Sequence, residues 1–353
     1  MKRGAFAAAL LFVAAAVVMA AQSQATTYKN LQVLESSSAD LLRIMHVMRA
    51  SLGVRCEHCH DVDRYEADTK PAKATARRMI RMVMDLNRTA FEGRPEVSCN
   101  SCHRGSLRPL AVPPIAQARY RDTTRALPSE TAATEPAPEE IVRRYLRALG
   151  GADRLRGIGS RTARGTVESA AIVTAEDGRP SAVNRGRTAP VILRWRGDEI
   201  ELTAGEGPNA VIQQVKGESG RVRVGSRERD MTRAELDRFL MRFEPRQVFK
   251  LLEAVSTMTS GGRADLAGRQ AFLLERRLDG GRWEQLAFDA ESGLLKRWTV
   301  FSPTPVGVDP EEVEFDEYRR VGGVLTPFVI RVSYLDDNHY GTTVRFASIR
   351  RTP

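Results

Sequence analysis

The chain contains 353 residues, which favours two domains, since a domain commonly holds ~100–200 residues. Hydrophobic residues make up 42% and charged residues 28%, a composition that excludes a wholly disordered, a collagen-like or a multispanning membrane protein. The formal net charge of +10 indicates acidic partners or a negatively charged surface. With only 6% aromatic residues, the scattered arginines lack the stacking side chains of a single-strand nucleic-acid binder, so no nucleic-acid partner is expected.

The first segment has the pattern of a secretory signal peptide. Lys2 and Arg3 precede an apolar run over residues 5–20, and small residues suited to cleavage follow. The run is shorter than the ~20 residues that span a bilayer, so cleavage is favoured over an anchor helix. We therefore predict a signal peptide at residues 1–25. The mature protein is expected in the periplasm, with the outer face of the inner membrane as a surface it can associate with.

All four cysteines lie in two CxxCH motifs, CEHCH at residues 56–60 and CNSCH at residues 99–103. CxxCH is the attachment signature of c-type haem, in which two thiols form thioethers to one haem and the adjacent histidine binds the iron. Two disulfides or a zinc site are the alternatives, but neither requires a histidine directly after each cysteine pair. The sequence therefore predicts two covalently bound haem c groups, held by Cys56, Cys59 and proximal His60, and by Cys99, Cys102 and proximal His103.

A helix is predicted ahead of each motif. Apolar residues recur at helical spacing within residues 39–53, and a second apolar face runs through residues 75–87. A methionine from such a helix can bind the iron opposite the histidine and close that position to small molecules. Periodicity does not choose between neighbouring methionines, because methionine is also a common core filler. The open candidates are Met45 or Met48 in the first helix, Met79 or Met82 in the second, and His46 as a competitor.

Several short stretches around these motifs belong together. They are LLRIM at 41–45, SLGVRCEHCH at 51–60, ARRM at 76–79, MV at 82–83, LN at 86–87 and VSCNSCHRG at 97–105. On these stretches, residues 29–108 resemble half of the multihaem cytochrome c subunit of photosynthetic reaction centres. The resemblance implies that a methionine ahead of each motif is the distal ligand. The matching positions are Met45 for the first haem and Met79 for the second.

The rest of the chain changes character. A dihaem cytochrome domain is predicted at residues 26–112, a Pro/Ala/Thr-rich linker at residues 113–140 and a β-rich domain at residues 141–353. The last of these opens with a short amphipathic helix at residues 140–150. Alternating strand patterns with Gly-rich turns then predict consecutive antiparallel hairpins. These patterns span residues 162–172, 191–203, 210–224, 271–278, 283–289, 294–302, 312–320, 328–334 and 342–350.

A helical insertion over residues 232–257 has enough apolar residues to cover one face of the predicted sheet. With the stretches at residues 288–295 and 315–328, this pattern resembles the half-open barrels of periplasmic lipoprotein carriers. The expected fold class is α+β with two domains. A mainly helical dihaem c-type cytochrome domain precedes a curved antiparallel β-sheet, a half-open barrel with a covering helix. An apolar cavity under that helix would hold a hydrophobic ligand, whereas a filled core would only dock the haem domain.

The function expected from these motifs is electron transport rather than catalysis, and no catalytic residue is assigned. We expect an exported dihaem c-type cytochrome that works in a periplasmic chain. Its partners would be a redox donor and a redox acceptor, with a membrane-bound complex as one form of partner. Two alternatives stay open. One is a dihaem peroxidase or gas sensor with one open haem, and the other is a hydrophobic-ligand binding protein with a redox-active haem domain.

Overall fold

The structure is a computed structural model that describes residues 28–34, 38–109, 135–174, 180–334 and 341–352. The signal peptide predicted at residues 1–25 lies outside these residues, as does most of the linker predicted at residues 113–140. Both therefore stay predictions.

Three helices form the part of the chain that contains the two CxxCH motifs. Helix α1 spans Ser38–Leu52, α2 spans Pro71–Ala90 and α3 spans Cys99–His103. Proline suits the start of α2, because the first helical position has no use for an N–H group. The first motif forms a 3-10 turn at Cys56–His58, and the second motif forms α3 itself. The helices predicted at residues 39–53 and 75–87 are thus confirmed, and the second is longer than predicted.

Thirteen strands in the described residues form one antiparallel sheet. Its order is β6-β5-β4-β3-β2-β1-β13-β12-β11-β10-β9-β8-β7, so two runs of hairpins meet where β1 pairs with β13. The predicted antiparallel sheet is confirmed. The strands are β1 Arg161–Thr174, β2 Pro180–Arg196, β3 Glu199–Ala204, β4 Val211–Lys216, β5 Ser219–Val224, β6 Arg227–Asp230, β7 Met258–Leu266, β8 Arg269–Arg277, β9 Trp283–Asp289, β10 Leu295–Thr304, β11 Gly307–Val321, β12 Val324–Tyr334 and β13 Thr342–Arg351.

Two predicted strands are in fact hairpins, and two real strands were not predicted. Residues 191–203 include the end of β2 and most of β3, and residues 210–224 include both β4 and β5. The alternation of apolar and polar residues continues through a two-residue turn, so the turn does not interrupt the strand pattern in the sequence. Strand β6 was missed because its residues are polar and fully at the surface. Strand β7 begins at Met258, directly after the segment predicted as helix, and was not predicted.

Helices cover the inner side of the sheet. Helix α4 spans Pro138–Leu149 and α5 spans Ala152–Arg156, before the first strand. The single helix predicted over residues 232–257 is wrong, because the chain forms α6 at Arg233–Phe243 and α7 at Gln247–Glu253. Pro245 separates them, and the residue before a proline is driven out of the helical region. Glu244 accordingly has extended dihedral angles.

The helical part and the sheet share an apolar core at the β10–β11 hairpin. Val306, at the tip of that hairpin, is fully buried and packs in one cluster with Ile44 and Val47 of α1. Its carbonyl oxygen accepts a hydrogen bond from the backbone N–H of Cys99 at 3.1 Å. The tip therefore holds the start of the second CxxCH motif in place through both packing and a backbone hydrogen bond.

A buried carboxylate lies beside this junction. Burial is the main reason that the pKa of Asp309 is raised to about 6. Arg43 of α1 lies 3.9 Å away and lowers that pKa, while the neighbouring Glu311 raises it and Arg238 lowers it. One oxygen of Asp309 is buried without a hydrogen-bond partner. Ionised Asp309 is therefore a net cost to the folded state, and the distant pairing with Arg43 offsets only part of it.

We expect Asp309→Asn to stabilise the protein at neutral pH but not at acidic pH. The folded-state pKa lies above the ordinary aspartate value, so stability from this group is full below pH ~4 and is lost as the pH rises through about 6. A shift of about two pKa units corresponds to ~2–3 kcal/mol. Urea unfolding at pH 4.5 and pH 7.5 measures the difference in the free energy of unfolding between the variant and the wild type. Asp153→Asn, at an exposed position, is the control. If Asp309→Asn differed from the wild type by the same free energy of unfolding at both pH values, the prediction would be contradicted.

The two CxxCH units touch through their backbones. The N–H group of Gly105, just after the second motif, donates to the carbonyl oxygen of Ser51 at 2.8 Å. Gly53, which ends α1, has a φ of +64°, and a Cβ added there would lie 2.2 Å from the Gly105 oxygen. Only glycine allows this approach, because any side chain at residue 53 would overlap that carbonyl.

We expect Gly53→Ala to destabilise the helical part more than the matched change Gly93→Ala. Gly93 also has a positive φ, +80°, but an added Cβ meets nothing within 4 Å. Both variants carry the left-handed backbone cost, while only Gly53→Ala adds overlap, for which ~1–3 kcal/mol is typical. Thermal unfolding followed by circular dichroism compares the two variants. Equal losses would mean that Ser51 and Gly105 are not held as close together as the structure has them.

Candidate haem sites

A cavity of about 590 Å³ lies between α1, the first motif, residues 28–34 and the N-terminal half of α2. Cofactor pockets commonly measure ~300–1,000 Å³. The four residues assigned to the first haem all line this cavity, namely Met45, Cys56, Cys59 and His60. The fold thus brings together one methionine, two thiols and one imidazole that are up to fifteen positions apart in the chain.

The rest of the cavity wall is apolar with a basic margin. Leu34, Leu41 and Ile80 supply buried apolar surface. Lys29, Arg49 and Arg55 also line it, and carry positive charge. An apolar interior with a few cationic side chains suits a flat macrocycle that bears two carboxylates, because the ring is desolvated while the propionate charge is offset. The lining residues therefore fit a haem.

The imidazole of His60 is oriented by a backbone carbonyl. Its Nδ1 lies 2.9 Å from the carbonyl oxygen of Tyr65. A carbonyl oxygen only accepts, so Nδ1 carries the proton and donates it. In the neutral imidazole, Nε2 is then the nitrogen without a proton, and that nitrogen can bind a metal ion. This contact therefore favours the His60 tautomer that a metal ligand uses.

The second motif repeats this arrangement. His103 Nδ1 lies 2.9 Å from the carbonyl oxygen of Ser106 and must donate to it for the same reason. Two histidines, each directly after a cysteine pair, thus have Nδ1 bonded to a carbonyl a few residues later in the chain. The motif alone does not require this hydrogen bond. It is the feature of the two sites that sequence reasoning missed, because a bond to a backbone oxygen leaves no residue pattern.

The four cysteines form no disulfide bonds with one another, and they differ in exposure. Cys56 and Cys102 are exposed, Cys59 is half-buried and Cys99 is buried. Burial raises the pKa of the Cys59 thiol and of the Cys99 thiol. One thiol of each motif therefore faces solvent while the other is packed against the protein.

The second set of predicted ligands lies on an exposed apolar face of α2. Met79 is 37% exposed, Met82 49% and Leu86 39%, and their spacing puts them on one side of the helix. Large apolar side chains that are contiguous on a surface indicate that something covers them. Met79, predicted as a distal ligand, and the alternative Met82 share this face, so the structure does not distinguish between them by burial.

For the first motif, the structure distinguishes the competing ligand candidates more clearly than it does for the second. Met48 also lines the cavity but is buried, at 9% exposure, in the cluster with Ile44 and Val47. His46 is not part of the cavity lining. Burial lowers the pKa of His46, and the nearby Arg49 and Arg43 lower it further. His46 is thus a neutral packed side chain on another side of α1, while Met45 is half-buried at the cavity wall.

A second cavity, of about 440 Å³, lies beneath α6 and α7. Charged side chains contribute much of its lining, among them a buried ion pair in which Arg276 lies 2.6 Å from Glu284. The indole N–H of Trp298 donates to the other oxygen of Glu284 at 2.8 Å. The sequence led us to expect either an apolar cavity or a filled core under the covering helix. A cavity walled by ion pairs does not favour a hydrophobic ligand.

Within the described residues, no helix has the length and apolar character needed to cross a membrane. Two solved structures are similar to the larger part of the chain. A LolA superfamily protein of Nitrosomonas europaea aligns at 8% identity over 62% of this chain and 94% of its own, with a TM-score of 0.41. A DUF1329 family protein of Desulfovibrio piger aligns at 12% identity over 61% of this chain and 93% of its own, also with a TM-score of 0.41.

Sequence comparisons find two cytochromes among the relatives of this chain. Cytochrome c-554 of Chloroflexus aurantiacus is 33% identical over 102 residues, which is 24% of this chain and 25% of that protein. The photosynthetic reaction center cytochrome c subunit of Rubrivivax gelatinosus is 32% identical over 84 residues, 19% of this chain and 23% of that protein. The chain thus spans about a quarter of the length of the curated relatives it matches. A family model described as photosynthetic reaction centre cytochrome C subunit matches residues 6–178, so this part of the chain resembles that family, as the two CxxCH motifs predicted.

Proposed function

We propose that this protein is an exported dihaem c-type cytochrome that transfers electrons in a periplasmic chain. One observation carries the proposal. At both CxxCH motifs the histidine donates Nδ1–H to a carbonyl oxygen, of Tyr65 in one and of Ser106 in the other, which leaves Nε2 ready for iron. A chance CxxCH sequence would not place its imidazole in this way twice.

The residues of the two motifs have separate roles. Cys56 and Cys59 would form the thioethers of the first haem, and Cys99 and Cys102 those of the second. His60 and His103 would bind the irons from the proximal side. When bound, each haem supplies a one-electron iron couple. The chain itself holds the imidazoles, excludes water from the first cavity with apolar side chains and offsets the propionate charge with basic ones.

The distal methionines would make both haems electron carriers rather than catalytic sites. Met45 lines the first cavity together with His60 and both thiols. Met79 belongs to the exposed apolar face of α2, which a haem at the second motif would cover. A thioether sulfur in the sixth position raises the potential and prevents small ligands from binding. Electron donor and acceptor proteins are then the partners, and a membrane-bound redox complex is the kind that a reaction-centre relative suggests.

The proposal predicts the optical spectra of the purified mature protein. We expect two covalently bound haems per chain, both low-spin, neither changed by CO, with the near-infrared band of methionine bound to ferric iron. Met45→Ala should open the first haem and give CO binding at one haem in two. Met48→Ala is the matched control and should leave the spectrum unchanged. CO binding by the wild type would instead support a peroxidase or a gas sensor.

The number of haems has a test of its own. Replacing both thiols of one motif, Cys99→Ala with Cys102→Ala, should remove one of two haems and leave the first haem spectrum unaltered. The same double change at Cys56 and Cys59 should remove the other. Mass spectrometry of the intact chain counts the covalent haems directly. A wild-type mass without haem, in a strain that matures c-type cytochromes, would refute the proposal.

A further inference from the structure

We infer that Lys73 raises the reduction potential of the haem at the first motif, because it donates to the same carbonyl oxygen that orients His60. This inference rests on the proposed function, since it concerns a haem bound at that motif. Lys73 is a positioning residue rather than a ligand: it acts on the iron through the Tyr65 carbonyl and the imidazole.

The contact is a convergence of two donors on one acceptor. The Lys73 ammonium donates to the Tyr65 oxygen at 2.8 Å, and His60 Nδ1 donates to that oxygen at 2.9 Å. A carbonyl oxygen has two lone pairs, so both bonds form together. Lys73 lies on the first turn of α2, and only 9% of it is exposed. A lysine in such a place is uncommon, since its burial requires partners for the charge.

The Lys73 ammonium is fully committed to the loop after the first motif. Its other partners are the carbonyl oxygen of Ala67, at 2.8 Å, and the carboxylate of Asp68, at 3.2 Å. An ammonium group has three N–H donors, and these three acceptors use them all. Although Lys73 lines the cavity, it therefore has no donor to spare for a haem propionate, and its effect must pass through the loop.

The Asp68 carboxylate does not cancel the Lys73 charge. Asp68 also pairs with Arg77 at 2.9 Å, and the hydrogen bond from Arg77 lowers the pKa of Asp68 well below its usual range. The cluster of Lys73, Arg77 and Asp68 thus has two cations and one anion. Within this cluster one positive charge is not balanced, and the Lys73 side chain that carries part of it is largely buried, where screening by water is weaker.

The direction of the effect follows from the chemistry of the imidazole. A strong acceptor at Nδ1–H draws the proton away, makes the ring more electron-rich and favours ferric iron. Lys73 draws electron density out of the Tyr65 oxygen and makes it a weaker acceptor for the His60 proton. The ring is then a poorer donor to the iron, and the positive charge opposes the extra charge of the ferric state. Both effects favour ferrous iron and raise the potential.

The second motif lacks this arrangement. Among the hydrogen bonds of the described residues, the Ser106 oxygen accepts the His103 proton and no lysine ammonium. The two histidine–carbonyl pairs are otherwise similar, and they differ in that a buried cation, Lys73, contacts the carbonyl oxygen at the first motif. A built-in difference in potential between the haems would set the direction in which an electron passes between them.

The test is a spectroelectrochemical titration of the holoprotein that resolves the two midpoint potentials. Lys73→Met keeps the aliphatic chain but removes the charge and the donors. We expect one midpoint to fall by the equivalent of about tenfold in the reduction equilibrium, ~59 mV for one electron, with the other unchanged. Lys73→Arg should return it towards the wild-type value. Met45→His identifies which midpoint belongs to the first haem, because that change alters the proposed distal ligand of that haem and shifts its potential. The midpoint that moves in Lys73→Met must be the one that moves in Met45→His.

Lys70→Met is the matched control. Lys70 is one turn earlier, and its ammonium contacts the Glu57 carbonyl near the same motif instead of the Tyr65 oxygen. Its removal should shift the midpoint much less than Lys73→Met does. An equal shift would mean that only general charge acts, and would overturn the inference. The proton NMR shifts of the iron-bound imidazole in the oxidised protein report the ring directly, and should change in Lys73→Met and not in Lys70→Met.

The outcomes separate this inference from the proposed function. If the wild type has two low-spin haems and Lys73→Met leaves both midpoints in place, or only lowers the melting temperature, Lys73 serves the loop alone and the inference is wrong. If the wild type binds fewer than two haems, the proposed function fails first. A rise of the first midpoint in Lys73→Met would also contradict the inference.

Discussion

The packing of α1 constrains most of what surrounds the haem sites. One side of α1 puts Ile44 and Val47 into the core that receives Val306 from the sheet. Another side presents Met45 to the first cavity. Its C-terminal end lies against the second motif, where the Ser51 carbonyl accepts the Gly105 N–H. A helix held on several sides has one position that satisfies all contacts, so both motifs are placed relative to each other by the same fifteen residues.

The histidine–carbonyl bonds also hold the two imidazoles that we propose as iron ligands. Each imidazole is turned by a loop that follows its own motif, so the loop's attachment decides how firmly the ligand is held. The first loop is fastened to α2 through Lys73 and Arg77, and to the N-terminal segment because Asn30 donates to the Glu66 carbonyl at 2.6 Å. The second loop depends on the backbone contact at Gly105. The loops that follow the two similar motifs are thus held by different contacts.

Buried ion pairs join the sheet to the helices on either side of β11. Asp309 is buried beside Arg43 at the junction, and Arg238 of α6 pairs with the neighbouring Glu311 at 2.7 Å. Two ion pairs, Arg43 with Asp309 and Arg238 with Glu311, therefore join β11 to α1 on one side and to α6 on the other. Such pairs contribute little net stability, because removing the charges from water costs about as much as their attraction returns. They do restrict how the surfaces fit, since any other arrangement would leave a buried charge unpaired.

The local patterns of the sequence were enough for much of the fold. Helical spacing gave α1, α2 and α4 to within a few residues, and alternation gave most strands of the antiparallel sheet. The errors had local causes. Pro245 divides one apolar helical pattern into α6 and α7, and tight turns let two hairpins read as single strands. Strand β6 is polar on both faces, so it carries no alternation that could be recognised.

The order of the residues was enough to predict the chemistry that we propose for the two sites, because a CxxCH motif needs only residues that are neighbours in the chain. Cys56, Cys59 and His60 could be assigned without knowing any fold. The side chains that lie opposite these residues could be identified only in the folded chain, since contacts between distant residues depend on how the helices pack. The tertiary structure placed Met45 at the cavity wall and brought Lys73 to the carbonyl oxygen that orients His60. A lysine contact to a backbone oxygen leaves no trace in spacing or composition, and so no reading of residues in order could have found it.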